Sequence, residues 1–199
     1  MKLIYSTVAT LVVAVLLISC QKEADLQGSG GGNTQREITG NYNFVGITSN
    51  QSASVVAGTG AAQEKIVTKA AFTTTNNVGT INITSTTFAT NMVGYRATGT
   101  AVTEFYLGGV LVNSLDNPFD EEYPPSSGNS TYRKINNDSI FFETGLDGDP
   151  TPIGARIRWS GDTLLMTMKI NDTYTEDLGG GVMAQVTEEY SQVIKMKKL

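Results

Sequence analysis

Carboxylates are the only side chains of this sequence that could carry acid–base chemistry near neutral pH. Histidine is absent, and the 199 residues include a single cysteine. A chain without imidazole cannot form a Ser-His-Asp triad, a Cys-His dyad or a histidine-ligated zinc site. One cysteine allows neither an internal disulfide nor a multi-cysteine metal cluster. These absences exclude the most familiar classes of hydrolase and metalloenzyme.

The first group of carboxylates lies in a predicted connection at 114–130, which also contains three prolines. Its members are Asp116, Asp120, Glu121 and Glu122. Two carboxylates at a defined separation can hydrolyse a glycosidic bond, but nothing in this pattern fixes such a separation. A carboxylate-dependent hydrolase is therefore the last of three functional hypotheses, and we predict that the protein is not an enzyme.

The second group lies in a predicted loop at 144–152, where Asp147 and Asp149 flank a glycine. Closely spaced aspartates and backbone carbonyls can bind Ca²⁺ through oxygen ligands. The pair supplies too few ligands for an EF-hand loop, and the bidentate glutamate is missing at the required spacing. A solvated acidic loop is the alternative. We expect no cofactor, and Asp147 and Asp149 are the calcium candidates that the sequence offers.

The N-terminus has the pattern of an export signal. Lys2 precedes an apolar run over 8–18 that only Thr10 interrupts. Eleven helical residues span roughly 16 Å, about half of a bilayer core, so the run suits a signal peptide better than a transmembrane helix. It ends in Leu17-Ile18-Ser19-Cys20, which resembles the lipobox of bacterial lipoproteins. The resemblance implies cleavage before Cys20 and acylation of its thiol and new amino group, palmitate being a typical acyl chain.

The residues after Cys20 predict a tether and a location. The segment 20–36 contains the sequence QGSGGGN, which behaves as a flexible coil with an r.m.s. reach of roughly 20 Å. Gln21 is not the Asp associated with inner-membrane retention. The stretch Gln21-Lys22-Glu23-Ala24-Asp25 resembles the surface-export signal of Bacteroidetes-type lipoproteins, with an ordinary charged tether as the alternative. The expectation is a lipid anchor in the outer membrane, exposed at the cell surface if the export signal operates.

The remainder, 37–199, is predicted to be one all-β domain. Apolar and polar residues alternate over 153–160, 163–171 and 190–197, which is typical of strands with one buried and one solvated face. Asn136-Asn137-Asp138 and Ser160-Gly161-Asp162 read as hairpin turns. The predicted strands are 38–48, 63–74, 78–85, 87–99, 101–113, 130–136, 139–144, 153–160, 163–171 and 182–197.

Eight to ten consecutive antiparallel strands must bury one face and remove their edges. Closure into an up-and-down barrel does both, and a two-sheet sandwich is the alternative. The first strand, with Gly40 and Tyr42 followed by alternating apolar residues, resembles the Gly-x-Trp opening of lipocalin-like domains. In that family a basic residue of the last strand packs over the aromatic ring, a part open here to Lys195 or Lys197. The resemblance implies a barrel with a central cavity.

Seven apolar and aromatic residues are candidates for lining such a cavity, because such side chains suit adaptable apolar binding. Ordinary core filling is the alternative. The candidates are Tyr42, Phe44, Met92, Trp159, Met166, Met168 and Tyr190.

The leading functional hypothesis is non-catalytic binding of a small apolar or amphipathic ligand by a lipid-anchored protein. The second is a surface module that binds a protein or polysaccharide through long loops at 114–130 and 172–181. The partners expected are membrane lipid, through acylated Cys20, and the small ligand. A formal charge of −5 argues against nucleic acid, which calls for basic patches.

Overall fold

A computed structural model describes residues 36–144 and 152–199. Eight antiparallel strands follow one another around a closed barrel, in the order β1 to β8. In the described ranges the only helix is a 3-10 turn at Gly60–Ala62. The prediction of an all-β meander closed into an up-and-down barrel is confirmed. The strands are β1 Gly40–Ala57, β2 Glu64–Ile83, β3 Thr87–Leu107, β4 Val110–Asn136, β5 Ser139–Phe142, β6 Ile153–Ser160, β7 Thr163–Asp177 and β8 Met183–Lys198.

The period-two pattern places one continuous core inside the barrel. Leu164, Met166 and Met168 alternate with more exposed neighbours along β7, and all three are buried. They meet Ile194 and Met196 of β8, which belong to the same apolar cluster. Burying side chains of this size stabilises the fold by about 1.5–3 kcal/mol each. The core therefore fills the part of the barrel where all eight strands run side by side.

Two predicted turns connect neighbouring strands as tight hairpins. Residues 137–138 join β4 to β5, and 161–162 join β6 to β7. The Asn136 side chain accepts a hydrogen bond of 3.0 Å from the Asp138 amide, which is the local closure expected of this residue type. Gly161 adopts a φ of +62°, a conformation that a side chain would disfavour.

Five of the strands are longer than the sequence pattern predicted. Residues 114–130 form no loop but lie within β4, where they pair with β3. Most of the predicted loop 172–181 likewise belongs to β7, which ends at Asp177. Prolines are tolerated in β4 because this strand has a partner on one side only over 110–130, among the residues described. The prolines and carboxylates here are therefore features of an edge strand.

One predicted break between strands is a bulge. Residues 75–77 separate two predicted strands, yet both belong to β2, and the register shifts between Thr75 and Val78. Asn76 has a φ of +51° at this point. A bulge inserts an extra residue and bends the strand without ending it. The sequence signals of a turn and of a bulge are the same, since both use residues that tolerate left-handed backbone.

The barrel therefore has two parts. In the closed section all eight strands surround the core, and the short turns at 84–86, 137–138 and 161–162 mark its end. Beyond it the strands β4, β3, β2, β1, β8 and β7 continue in that spatial order as one sheet, which we call the long sheet. The connections 58–63, 108–109 and 178–182 lie at its far end.

Aromatic and cationic side chains plug the end of the closed section. The buried Tyr42 hydroxyl donates a 2.5 Å hydrogen bond to the Ile38 carbonyl, and burial raises its pKa to about 12. The Arg36 guanidinium lies 4.1 Å from the Trp159 ring centre and donates to the Gly161 carbonyl. Lys198, at 6.0 Å, is the second cation over that ring. The predicted choice of Lys195 or Lys197 is wrong, because the register places Lys198 opposite Tyr42.

Replacing Tyr42 by Phe tests this plug. We expect Tyr42→Phe to lower the free energy of unfolding by about 1–3 kcal/mol, because a buried carbonyl loses its donor. Urea denaturation measures the change. Tyr123→Phe is the matched control, since its hydroxyl bonds Glu121 at the surface and its loss should cost less than about 0.5 kcal/mol. Equal effects of the two substitutions would contradict this role.

Candidate functional site

A cavity of about 1140 Å³ opens on the long sheet and is the candidate binding site. It crosses five strands from β3 to β7, and we call it the outer groove. Its lining residues are Asn50, Gln51, Ser52, Lys69, Ala70, Ala71, Thr100, Val102, Lys169, Ile170, Asn171, Thr173, Glu189, Tyr190 and Ser191.

The strand register shows on which face the outer groove lies. Even-numbered residues of β8, such as Ile194 and Met196, face the core. Glu189 and Ser191 are odd-numbered and therefore point to the opposite face. Glu189 pairs with Ser52, which in turn pairs with Lys69. Directly paired residues share a face of the sheet, so these side chains lie together on the outside of the barrel.

The outer groove combines polar side chains with apolar surface. Its outward side chains are mostly hydroxyls and amides, including Ser52, Asn50 and Asn171, over a floor that contains Ala71 and Val102. Such groups donate and accept hydrogen bonds and impose no single charge on a ligand. The site is therefore suited to a polar, uncharged or weakly charged molecule.

Three charged side chains belong to the outer groove. Lys69 forms a 3.2 Å ion pair with Glu104, and the hydrogen bonds from Lys69 and Tyr106 lower the pKa of that carboxyl. Lys169 has no ion pair with any residue described, and it lines the groove from β7. Glu189 is the only carboxylate among the lining residues. The lining thus lacks the pair of carboxylates that a glycosidase requires.

The opposite, inner face of the long sheet carries aromatic residues. Phe72 and Phe119 meet edge to face with ring centres 6.1 Å apart, and Tyr95 stacks on Tyr123 at 4.8 Å. Gly99 permits the first contact, because a Cβ there would lie 2.8 Å from atoms of both phenylalanines. Apart from Tyr123, which is exposed, these rings are half-buried. This face therefore offers aromatic surface just beyond the packed core.

The seven predicted cavity residues do not line one cavity. Tyr42, Phe44, Met166 and Met168 are buried members of the core, and Trp159 packs against it. Their predicted inward direction is confirmed, but they contact one another and fill the closed section.

Two further candidates lie elsewhere. The predicted inward direction of Met92 is wrong, since it is 55% exposed at a bulge of β3 with a φ of +52°. Tyr190 borders the outer groove, but its side chain points to the inner face, as Ile194 and Met196 do. There the Tyr190 hydroxyl donates a hydrogen bond to the Gln192 side chain, and burial raises its pKa.

The carboxylates singled out by sequence have mixed outcomes. Asp120 is held by Arg96 in a bidentate, half-exposed ion pair, which lowers the pKa of the carboxyl. Glu121 accepts a hydrogen bond from Tyr123. Asp147 and Asp149, the calcium candidates, lie outside the described residues, as does Cys20. Within the ranges described, no three acidic or cysteine side chains are grouped closely enough to hold a metal ion.

Apart from Tyr190, the residues that line the outer groove were not identified from the sequence. Alternation over 163–171 does place Lys169 on the solvated face of its strand. It does not show that Lys169 shares a surface with Ser52 and Lys69, because that depends on pairings among β7, β8, β1 and β2. The sequence therefore indicates which residues of each strand face solvent, but it does not give the register that brings those residues together.

Comparison with protein-family models, with curated proteins and with solved structures gave no match. Among the described residues there is no helix with the length and apolar character to span a membrane.

Two carboxylates oppose each other on the inner face near Tyr190. Asp172 of β7 pairs directly with Glu188 of β8. Burial raises the pKa of Glu188, and the negative charges of Asp172 and Glu176 add to the effect, against a hydrogen bond from Tyr174. A carboxyl whose pKa is raised on folding contributes stability at low pH, and this contribution is lost as the pH rises through the folded-state value.

Glu188→Gln should therefore raise the melting temperature by a few degrees at pH 7. The difference should shrink below about pH 4, where the carboxyl is protonated in both states. Thermal unfolding followed by circular dichroism measures this. Glu189→Gln is the matched control on the exposed opposite face, and it should change the melting temperature little at either pH. A lower melting temperature for Glu188→Gln at pH 7 would contradict the raised pKa of Glu188.

Proposed function

We propose that this chain is an outer-membrane lipoprotein, lipocalin-like in its opening strand, that acts as a non-catalytic binding module and holds a polysaccharide segment in the outer groove. The observation that carries the proposal is the groove itself. It combines about 1140 Å³ of space with hydroxyl, amide and a few charged side chains. The closed section of the barrel, by contrast, is filled by its own core.

The composition of the groove favours a polyhydroxyl ligand over a protein. Binding hot spots between proteins are rich in Trp, Tyr and Arg. The lining contains no Trp and no Arg, and Tyr190 directs its ring to the inner face. Spanning five strands at about 4.8 Å spacing, the groove is roughly 19 Å long, which accommodates a short chain of sugars. Side chains such as Asn50 and Asn171 can both donate to and accept from sugar hydroxyls.

Lys169→Ala and Asn50→Ala test the groove. We expect each to weaken binding of dextran or alginate oligosaccharides by about 5- to 30-fold, because each loses a hydrogen-bonding group worth about 1–2 kcal/mol. Isothermal titration calorimetry measures the affinities, and comparison of the neutral dextran with the anionic alginate shows how much charge contributes. Lys134→Ala is the control, since Lys134 lies at the closed section outside the groove.

The proposal would be contradicted if the wild-type protein bound neither dextran nor alginate. It would also be contradicted if both groove variants kept the wild-type affinity. Binding of both probes by Lys134→Ala at the wild-type level is required for the groove assignment.

The membrane anchor rests on the Leu17-Ile18-Ser19-Cys20 motif. Cys20→Ser should release the protein from the outer-membrane fraction or leave its precursor unprocessed, because acylation through several chains is what gives stable anchoring. Cell fractionation and the intact mass of the mature protein measure this. A wild-type chain that begins at another residue, or that carries no acyl mass, would contradict the anchor.

A small amphipathic ligand is the second candidate function, and the aromatic pairs Phe72–Phe119 and Tyr95–Tyr123 on the inner face favour it. Aromatic surface of this kind suits apolar binding. Such a ligand would copurify and add mass in a native mass spectrum, whereas an oligosaccharide in the outer groove would bind on titration.

A further inference from the structure

Three hairpin tips lie level with one another at the far end of the long sheet. Leu107 pairs with Val110 and Glu64, Glu64 pairs with Ala57, and Ala57 pairs with Ala184. This unbroken row across the sheet sets the connections 58–63, 108–109 and 178–182 at one height. We call the tips 57–63, 107–115 and 178–187 the hairpin rim.

The hairpin rim exposes aliphatic side chains. Of the fourteen large apolar residues that are exposed in the described ranges, eight belong to it. Each of the eight is between 44% and 66% exposed. They are Leu107, Val110, Leu111, Val112, Leu115, Leu178, Val182 and Met183. Exposed apolar surface gathered at one end of a molecule marks an interaction site, whereas isolated apolar residues are normal.

Charged side chains such as Glu64 and Asp177 border the rim, but its three segments contain none. The segments 57–63, 107–115 and 178–187 contain no Asp, Glu, Lys or Arg, although 17% of the whole chain is charged. They also contain no aromatic residue. Protein interfaces use aromatic and arginine anchors at their centre and charges to fix orientation. A surface whose exposed large side chains are aliphatic, and whose remaining side chains are uncharged, lacks such anchors, so it fits hydrocarbon better than a folded partner.

The turns of the tips have internal backbone hydrogen bonds, whereas residues 110–115 lie on the edge strand β4 and pair with β3 on one side only among the residues described. The Gly108 amide donates to the Gln63 carbonyl at 2.8 Å, which links two tips. The Gln63 amide donates to Gly60, and the Leu178 amide donates to Val182 at 2.9 Å. These turns can therefore enter the lipid interface with the bonded amides still paired, and the open side of β4 confines entry to the hydrated boundary of the bilayer.

The rim lies at the end opposite to the start of the described chain. Arg36 is bound to Gly161 at the closed section. The 18 residues of β1 lead from there to the rim, about 60 Å along the strand. A surface approached by the rim is therefore remote from the point where the described chain begins.

From these observations we infer that the hairpin rim inserts shallowly into a lipid bilayer. The aliphatic side chains of the 107–115 and 178–187 tips enter the boundary between headgroups and acyl chains, as the apolar faces of interfacial segments do. The insertion depends on burial of apolar surface and needs no anionic lipid. It is independent of any ligand in the outer groove.

A fluorescent label at the rim tests this inference. Val110→Cys in the full-length chain is labelled with an environment-sensitive nitrobenzoxadiazole dye and reconstituted into phosphatidylcholine vesicles. Bromolipids that quench the dye are placed either in these vesicles or in added acceptor vesicles. Label on Val78→Cys, which is 48% exposed on β2 but outside the rim, is the matched control. Wild-type protein labelled in parallel corrects for any dye on Cys20.

We expect bromolipids to quench the dye at position 110, chiefly from acceptor vesicles, and to leave the dye at position 78 unquenched. Adding Val182→Asp, on the neighbouring tip, should reduce the protein bound to acceptor vesicles by about tenfold or more, because a charge is costly in the interface. If Val182→Asp fails to fold, as judged by its circular dichroism, Val182→Ser replaces it with a smaller expected loss.

The inference would be overturned if the dye at position 110 were quenched neither by bromolipids in the reconstituted vesicles nor by bromolipids in the acceptor vesicles. The inference would also be overturned if the protein had twice the expected mass and the dye at position 110 were in an apolar environment in the absence of lipid. A second copy of this chain would then cover the rim. Equal binding of acceptor vesicles by the Val182 variants and the parent protein would also overturn it.

Discussion

The antiparallel pairing of β1 with β8 is the constraint on which the rest of the structure depends. It joins the first strand to the last and so closes the ring. Without it the sheet would keep two further unpaired edges, and the core would lack a wall. The β1–β8 pairing brings Met196 opposite Phe44 in the core and, beyond a one-residue shift between Phe44 and Gly46, brings Glu189 opposite Ser52 on the outer face. Core packing and the candidate site are consequences of one set of pairings.

The unequal lengths of the strands give the molecule its second part. β5 and β6 have 4 and 8 residues, whereas β4 has 27. All eight strands can surround a core only where the short strands reach. Beyond that level six strands continue as the long sheet, whose outer face forms the groove and whose hairpins end in the apolar rim. Bulges near Asn43, Thr75 and Val93 bend strands close to this transition.

Local patterning predicted much of the closed section. Alternation identified β6, the first half of β7 and the second half of β8, together with the turns at 137–138 and 161–162. It was less successful in the long sheet. Residues 114–130 combine three prolines with four carboxylates, which is loop-like composition, yet they form an edge strand because β3 supplies a full row of partners. A partner supplied by another part of the chain overrides local propensity.

The sequence by itself determined the side-chain chemistry that is absent, the Cys20 motif, the all-β class and the residues that fill the core, because these depend on composition and on a period of two along each strand. Only the tertiary structure decided that Lys69, Lys169 and Glu189 share one groove, and that the tips at 107–115 and 178–187 stand level. Those relations depend on the register between strands far apart in the chain. Hydrophobic patterning and turns set the register of neighbouring strands, but β1 and β8 are joined by no turn, and their register appears only when the ring closes.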